Sequence, residues 1–427
     1  MKVLLSAYEC DPTRGSEYSR SWNWFMTYVE KGFEVWCLTG VWGKENITKA
    51  LSERNLTTAH VHYVELPQWL EHRYENRNGS AWIYLRYLAF QRRLYRIAKR
   101  LDKIHEFDLI HHVSWGSIQM GTSLWRLKKP FIFGPVGGGQ FPPNGFESYF
   151  DVGWDKEVKR KKTSDLLLKF YPDSRATLKN ASLVLTVNRE TYRMAKNMGA
   201  RHIDYFLDAS VRADKIPPSL PTREASSVFR LTWVGRILPR KALPLTLEAL
   251  SKVSPEVPVH MDIYGDGELG RRVPQWIEQY QVGDRVTWHG QVPWTEVFAA
   301  FQRNDVFIFN SLRESYGLQL MEAMASGIPI ICLDLHGAGK FVPREAGIKV
   351  PVSTPEETVQ KMAEAIEFMY RNPQQRLEAG GYAYQYAKQQ GIFNKWAELG
   401  DMLQEAGLIS HESFFNSSKT TNDVPSA

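Results

Sequence analysis

The sequence predicts an α/β protein of two domains, each a parallel sheet covered by helices, with a cleft between them. Three observations predict it. The chain has 427 residues, enough for two domains of about 200 each. Short apolar runs alternate with amphipathic stretches through both halves. A proline- and serine-rich break, with Pro217-Pro218-Ser219-Leu220-Pro221 and then Ser226-Ser227, marks a linker over 207–227.

The first half, 1–206, opens on Met1-Lys2-Val3-Leu4-Leu5-Ser6, too short an apolar run for a signal peptide and suited to a first strand. A loop over 10–16 leads into an amphipathic helix around Trp22, Trp24, Phe25 and Val29, which Gly32 ends. Val35-Trp36-Cys37-Leu38 then completes a β-α-β unit. Later strands are His60-Val61-His62-Tyr63-Val64, Leu109-Ile110-His111-His112, Pro130-Phe131-Ile132-Phe133 and Leu183-Val184-Leu185-Thr186-Val187. The second half, 228–394, has strands at Arg230-Leu231-Thr232-Trp233-Val234, His260-Met261-Asp262-Ile263-Tyr264, Val286-Thr287-Trp288-His289, Val306-Phe307-Ile308-Phe309 and Ile330-Ile331-Cys332-Leu333. A helix over 395–410, around Trp396, is placed to cross back to the first domain, and the polar stretch 411–427 is expected to be disordered.

Composition narrows the class. Hydrophobic residues make up 43%, enough for full cores and too many for wholesale disorder. Cys10, Cys37 and Cys332 have no metal or redox spacing, which argues for a reducing compartment. No run is long enough to span a bilayer, so a cytoplasmic protein is expected, soluble or peripheral at the inner face of the membrane. The net charge of +6 favours anionic partners. Basic residues and aromatics cluster over 73–103; this is either a helix whose aromatics serve the core or a membrane-surface helix, and no nucleic-acid motif accompanies it. Lys156, Lys159, Arg160, Lys161, Lys162 and Lys169 form a second basic cluster.

Two glutamates carry the functional argument. Glu314 follows the strand at 306–309, and Glu322 lies one turn into the helix expected from about Gly317 to Ser326, which Gly327 and Pro329 close. In an open α/β sheet, ligands bind at the carboxyl ends of strands. The free N–H groups of Gly317, Leu318 and Gln319 would point there, ready for an anion. Two carboxylates for hydroxyls beside a positive helix end suit a nucleotide sugar.

Glu314-Ser315-Tyr316-Gly317 followed by Glu322-Ala323-Met324-Ala325-Ser326-Gly327-Ile328-Pro329 resembles the E-x7-E motif of the retaining family 4 glycosyltransferases, of the glycosyl transferases group 1. The resemblance implies the GT-B fold, two Rossmann-like doubly wound domains facing each other across a cleft. It implies a hexosyltransferase of polysaccharide or glycoconjugate biosynthesis. Such an enzyme moves a sugar from a UDP- or GDP-linked donor to a saccharide or lipid-linked saccharide, with no other cofactor. Val234-Gly235-Arg236-Ile237-Leu238-Pro239-Arg240-Lys241 is similar to the family's G-R-x(3–4)-K-G, with Ala242 at the usual glycine. Arg236 and Lys241 would then hold the diphosphate, with Arg240 a competing cation. The resemblance gives Glu322 the ribose diol and Glu314 the donor sugar, aided by amides near Tyr316, Gly317 and Leu318.

Weaker matches surround this core. Gly15, in the loop 11–17, corresponds to the family's glycine loop under the donor phosphates. His111 and His112 end a strand where family members carry a cleft histidine; neighbours on a strand face opposite ways, and His112 is the choice. Gly134-Pro135-Val136-Gly137-Gly138-Gly139-Gln140 either lines the acceptor site or is a flexible turn. His289 fits the loop near the nucleotide base.

Three competing readings remain. Gly265-Asp266-Gly267-Glu268-Leu269-Gly270 matches G-x-G-x-x-G after a strand, which would suit an NAD(P)-dependent oxidoreductase, but no acid ends the next strand. A nucleotide-sugar epimerase and a non-catalytic nucleotide-sugar binder share the fold. No metal is expected, since the clamp residues are cations and Asp262-Ile263-Tyr264 lacks the second acid of D-x-D. The counter-reading is a ligand from Glu9, Asp11 or Glu17 across the cleft.

Overall fold

A computed structural model describes residues 1–408 apart from 16, 55, 72–81, 210, 212–215, 224–225 and 391. The tail 411–427, the first part of the basic segment 73–103 and parts of the linker lie outside the described residues.

Seven strands form the first sheet: β1 Lys2–Ala7, β2 Glu34–Thr39, β3 Ala59–Tyr63, β4 Leu109–Ser114, β5 Phe131–Val136, β6 Leu183–Thr186 and β7 Ile203–Tyr205. Six form the second: β8 Phe229–Val234, β9 Val259–Tyr264, β10 Val286–Trp288, β11 Val306–Phe309, β12 Ile330–Leu333 and β13 Gly347–Val350. The orders are β3-β2-β1-β4-β5-β6-β7 and β10-β9-β8-β11-β12-β13, and the pairs are parallel. In each sheet the strand order reverses once, between β1 and β4 and between β8 and β11. Loops leaving the carboxyl ends of those strands diverge there and open a crevice.

The strands read as continuous apolar runs because helices cover both faces. In β11, Val306 and Ile308 join one buried cluster while Phe307 and Phe309 join the other. In β1, Val3, Leu5 and Ala7 face one layer and Leu4 the opposite one. This alternation packs the sheet into two cores and fixes which strand ends reach the cleft.

The helix Trp82–His105 supports the core reading of its aromatics. Tyr87, Phe90, Leu94 and Ala98 are buried in the first domain, and Arg86 lies 3.8 Å over the ring of Trp42 while bonded to Glu71. Arg92, Arg93, Arg96, Lys99 and Arg100 face outward. No helix among the described residues is long and apolar enough to cross a membrane.

Three segments tie the domains together. The helix Ile392–Glu405 puts Trp396, Leu399 and Leu403 into the first domain's core, with the Trp396 ring 5.1 Å from Tyr28. The linker runs along the second domain: Leu207 joins its core, Arg223 donates to Asn304 O at 2.8 Å and Tyr384 Oη donates to Pro217 O at 2.7 Å. The third tie departs from the division at residue 206. Phe146, Tyr149 and Phe150 belong in sequence to the first half but are buried in the core of the second. Tyr149 Oη donates to Glu248 Oε2 at 2.7 Å, and Arg272 holds Asp151 at 2.9 Å. The apolar spacing of 146, 149 and 150 shows burial; only the fold shows in which core.

Candidate active site

The loops after β8 and β11 meet at the second switch point. There Lys241 Nζ lies 2.9 Å from Glu314 Oε2, and Arg240 Nη1 bonds the same oxygen. Lys241 is buried, with its ammonium 4.9 Å from the ring of Phe309. Burial alone would push the Glu314 carboxyl up; Lys241 and Arg240 outweigh it and hold it down at about 2. Two cations on one carboxylate make its ionised form the stable one. Burial pulls the Lys241 ammonium down, and Glu314 pulls it back up. Arg236 is exposed and forms no ion pair among the described residues. Ala242 has φ +48°, which gives a reason for the usual glycine at its position.

After Glu314 the chain turns through Tyr316, which is buried, and Gly317, whose φ is +100°. A Cβ on Gly317 would sit 2.6 Å from Phe309 Cζ, so both conformation and space require glycine. The helix then runs Leu318–Ala325, and no side chain caps its start. Its first N–H groups lack helical partners and face outward with the positive end of the dipole. Glu322 is largely enclosed, and burial raises its carboxyl to about 7.

A cavity of about 710 Å³ lies between the domains. Glu314, Tyr316, Gly317, Leu318 and Glu322 line one wall; Glu17, Arg20, Asn23, Trp24, Gly116 and Gly137 line the other. The glycine-rich loop reaches across: Gln140 Nε2 donates to Ser315 Oγ at 2.8 Å.

Five expected residues lie outside the cavity lining. His112 does not enter the cleft. It is fully buried, with Nδ1 hydrogen-bonded to Ser6 Oγ at 2.8 Å and Nε2 3.3 Å from Tyr87 Oη. His111 is equally buried, between Tyr28 Oη and Gly134 O. Burial holds both rings neutral, at about 3. The alternation rule separates their faces, but both faces are covered, so neither ring meets the cavity. Gly15 is exposed on its loop with open space around it. His289 is exposed at the end of β10, bonded to Asp262 at 2.7 Å and stacked on Tyr264. Arg236 stands outside the cavity lining, as does Lys241, which reaches it through Glu314.

The G-x-G-x-x-G stretch has a packing role. Gly265 has φ +126°, and a Cβ there would lie 2.1 Å from Gly235 O, so its absence lets the loops after β8 and β9 touch backbone to backbone. Asp11 accepts from Thr13 N at 2.8 Å and pairs with Arg14 at 3.5 Å. Among the described residues no three His, Cys, Asp or Glu side chains gather where they could hold a metal.

Several residues escaped sequence reasoning. Arg313 pairs with Glu157, 156 positions earlier, and Arg20 comes near Asp208, 188 positions later. No spacing rule links such partners; the one signal was the position of Arg313 beside Glu314.

Residues 222–386 match the family of glycosyl transferases group 1. Over 176 residues the chain is 28% identical to the GtfA subunit of the UDP-N-acetylglucosamine–peptide N-acetylglucosaminyltransferase of Streptococcus pneumoniae, covering 39% of this chain and 34% of that protein. Over 169 residues it is 28% identical to D-inositol 3-phosphate glycosyltransferase of Paenarthrobacter aurescens, covering 38% and 40%. The aligned stretch is thus well under half of either relative. Whole-chain likeness is structural. Anabaena HepE in complex with UDP superposes with a TM-score of 0.59 at 16% identity, over 95% of this chain and 100% of that one. The lipopolysaccharide outer core galactosyltransferase WaaB gives a TM-score of 0.63 at 12% identity, over 95% and 99%. At such identities the likeness establishes the fold, which is the two-domain GT-B arrangement.

Proposed function

We propose that this chain, whose second domain matches the glycosyl transferases group 1, moves a sugar from a nucleoside-diphosphate donor to a hydroxyl of a saccharide or lipid-linked saccharide. The observation that carries the reading is the cluster of Glu314 with Lys241 and Arg240, set beside an uncapped helix start at a switch point. In the structure the two cations sit on Glu314. A diphosphate at the amides of Gly317, Leu318 and Gln319 would draw Lys241, Arg240 and Arg236 toward itself. Glu314 would then be free to take a hydroxyl of the donor sugar. Glu322 takes the ribose diol.

Charge grows on the leaving diphosphate as the bond from the anomeric carbon to the phosphate oxygen breaks. The cations and the helix end stabilise it. A new bond forms from the acceptor oxygen to the same carbon, on the same face. The acceptor proton passes to the departing phosphate oxygen, and the anomeric configuration is retained because the new bond forms on the face the diphosphate leaves. No divalent ion is needed in this scheme, because fixed cations fill its place. The reaction takes place in the cytoplasm, and the outward arginines of the helix Trp82–His105 offer contact with an anionic membrane face.

The relative solved with UDP makes UDP the first nucleotide to try. The test is a thermal-shift panel of UDP, GDP, their sugars and NAD(P), followed by donor hydrolysis with and without EDTA. Stabilisation by a UDP or GDP species, with hydrolysis that survives EDTA, is expected. A response to NAD(P) alone would overturn the reading.

A further inference from the structure

Beyond the cavity lining, the chain after β12 brings the second domain against the first. The helix His336–Phe341 packs on the helix Arg189–Asn197 of the first domain. Arg189 spans the join: Nη1 lies 3.1 Å from Asp334 Oδ1, and Nη2 donates to Gly339 O at 3.0 Å. His336 stands in the same join, buried, with φ +51°. Residues other than glycine are uncommon in that conformation, so the side chain held there calls for a reason. It also touches the loop that carries Glu314. His336 Nε2 bonds Leu312 O at 3.1 Å, and a Cβ on the adjoining Gly337 would lie 1.9 Å from Ser315 O.

A carbonyl oxygen only accepts, so His336 Nε2 carries a proton. In the neutral ring Nδ1 is then a bare lone pair. It faces Glu190 Oε2 across the domain boundary at 3.4 Å. Both atoms are enclosed, and neither has a hydrogen-bond partner. Two acceptors are held face to face, and one proton on Nδ1 would join them. Burial alone would raise the Glu190 carboxyl; His336 leads the contacts that hold it below its ordinary value, so Glu190 is the ionised partner. The other charges around the ring are engaged elsewhere or exposed. Arg189 and Asp334 hold each other, Lys349 Nζ donates to Gly339 O at 2.9 Å, and Lys340 lies 3.9 Å over the ring of Tyr205. Arg313 holds Glu157, Glu314 holds Lys241, and Arg193 is exposed.

We propose that His336 and Glu190 form a proton-operated latch between the domains, with His336 a positioning residue for the loop 312–316. Protonation gives Nδ1 a hydrogen that donates to Glu190, while Nε2 keeps its bond to Leu312 O. One imidazolium then joins the helix Arg189–Asn197 to the loop that carries Glu314. Loss of the proton leaves two lone pairs opposed and weakens the join. The charged ring is favoured with the domains together, next to the Glu190 carboxylate. The tie is therefore complete on the acid side and is lost as pH rises through the range in which histidine titrates. A bond with both partners ionised is about twice as strong as a neutral one, so a single proton has leverage here. The latch goes beyond the glycosyltransferase reading and does not depend on it.

The test is hydrogen exchange of the full chain without nucleotide, read by mass spectrometry at about pH 5.5 and about pH 8 and corrected for intrinsic exchange. In wild type, peptides over 186–194 and 332–341 should be at least about fivefold better protected at the lower pH, where one full unit of histidine shift would give about tenfold. His336→Asn accepts the same backbone conformation and cannot take a charge, so the ratio should fall to about one. Glu190→Gln removes the anion and can donate to the neutral ring, so the ratio should fall to about one or invert. Equal protection of wild type at both pH values overturns the latch. A ratio kept in either variant also overturns it, because the proton then sits on another group. A merely structural role would lower protection equally at both pH values and keep the ratio, which is that same outcome. Should His336→Asn fail to fold, Glu190→Gln carries the same readings. No nucleotide enters the measurement, so its failure leaves the glycosyltransferase reading untouched.

Discussion

Glu157 of the first domain grips Arg313 of the second: Arg313 Nη2 donates to Glu157 Oε1 at 2.8 Å, and Nε stands 2.6 Å from Oε2. Arg313 is the residue before Glu314. The helix Trp154–Phe170 therefore braces the loop that carries Glu314. Side-chain exposures of 18% and 10% make this pair largely buried, so leaving either partner alone is costly. Glu157→Leu or Arg313→Leu alone should cost about 3 kcal/mol of stability. The double variant should cost less than the sum, with a coupling of about 1–3 kcal/mol. Denaturant unfolding of the four proteins measures it; strict additivity would mean the pair does not hold the loop.

The three cations around Glu314 should differ. Arg236→Ala and Lys241→Ala should each lower turnover at least about tenfold, the value of one charge-assisted contact. Arg240→Ala should lower it too, because Arg240 shares the Glu314 oxygen with Lys241. Donor hydrolysis rates decide the order. If Arg240→Ala alone is crippled while Lys241→Ala turns over normally, the diphosphate clamp lies one residue earlier.

Glu322 should make nucleotide binding pH-dependent. Burial raises its carboxyl from the ordinary 4.5 to about 7. The protonated form is thus favoured in the folded state. That stabilisation is complete below about 4.5 and is lost as pH rises through about 7. Ribose hydroxyls bind the ionised form, so affinity should run the other way and climb about tenfold from pH 6 to 8. Binding below about 7 should release protons, visible in calorimetry as buffer-dependent heat. Glu9 is also raised to about 7 by burial, so the control is Glu322→Gln, which should flatten the profile. A profile that Glu322→Gln leaves unchanged would assign the proton to another group.

The inserted segment around Phe150 should behave as part of the second domain. Phe150 is fully buried in that core, and Phe150→Ala should cost about 3–5 kcal/mol. Closure on a donor must then bend the chain on the first-domain side of Phe146, as well as near Pro217 and before Trp396. Small-angle scattering with and without saturating nucleotide should show compaction. An unchanged profile would mean that the three ties hold the domains at one spacing.

Local chemistry was sufficient for much of this architecture. Two parallel sheets were legible because strands buried on both faces are continuous apolar runs, as at 306–309 and 330–333. Both limits of β11 agree with the expectation, and the helix predicted to begin at about Gly317 begins at Leu318. The weakest strands were not foreseen: Ile203-Asp204-Tyr205 and Gly347-Ile348-Lys349-Val350 are short edge strands with a polar residue inside. At an edge, pairing with one neighbour suffices, and no long apolar run is required.

The placing of Glu314 and Glu322 on one loop and helix also came from sequence alone, since eight positions across a strand–loop–helix leave little freedom. Other features came only with the tertiary structure. It turned His112 inward, because the layer over β4 covers both faces of the strand. It sent Phe146, Tyr149 and Phe150 into the far domain and brought Glu157 to Arg313 and Asp208 to Arg20. An apolar or charged residue declares by its type that it needs burial or a partner. Which core receives it, and which charge meets it, depends on how the two domains dock, and no periodicity within either segment records that.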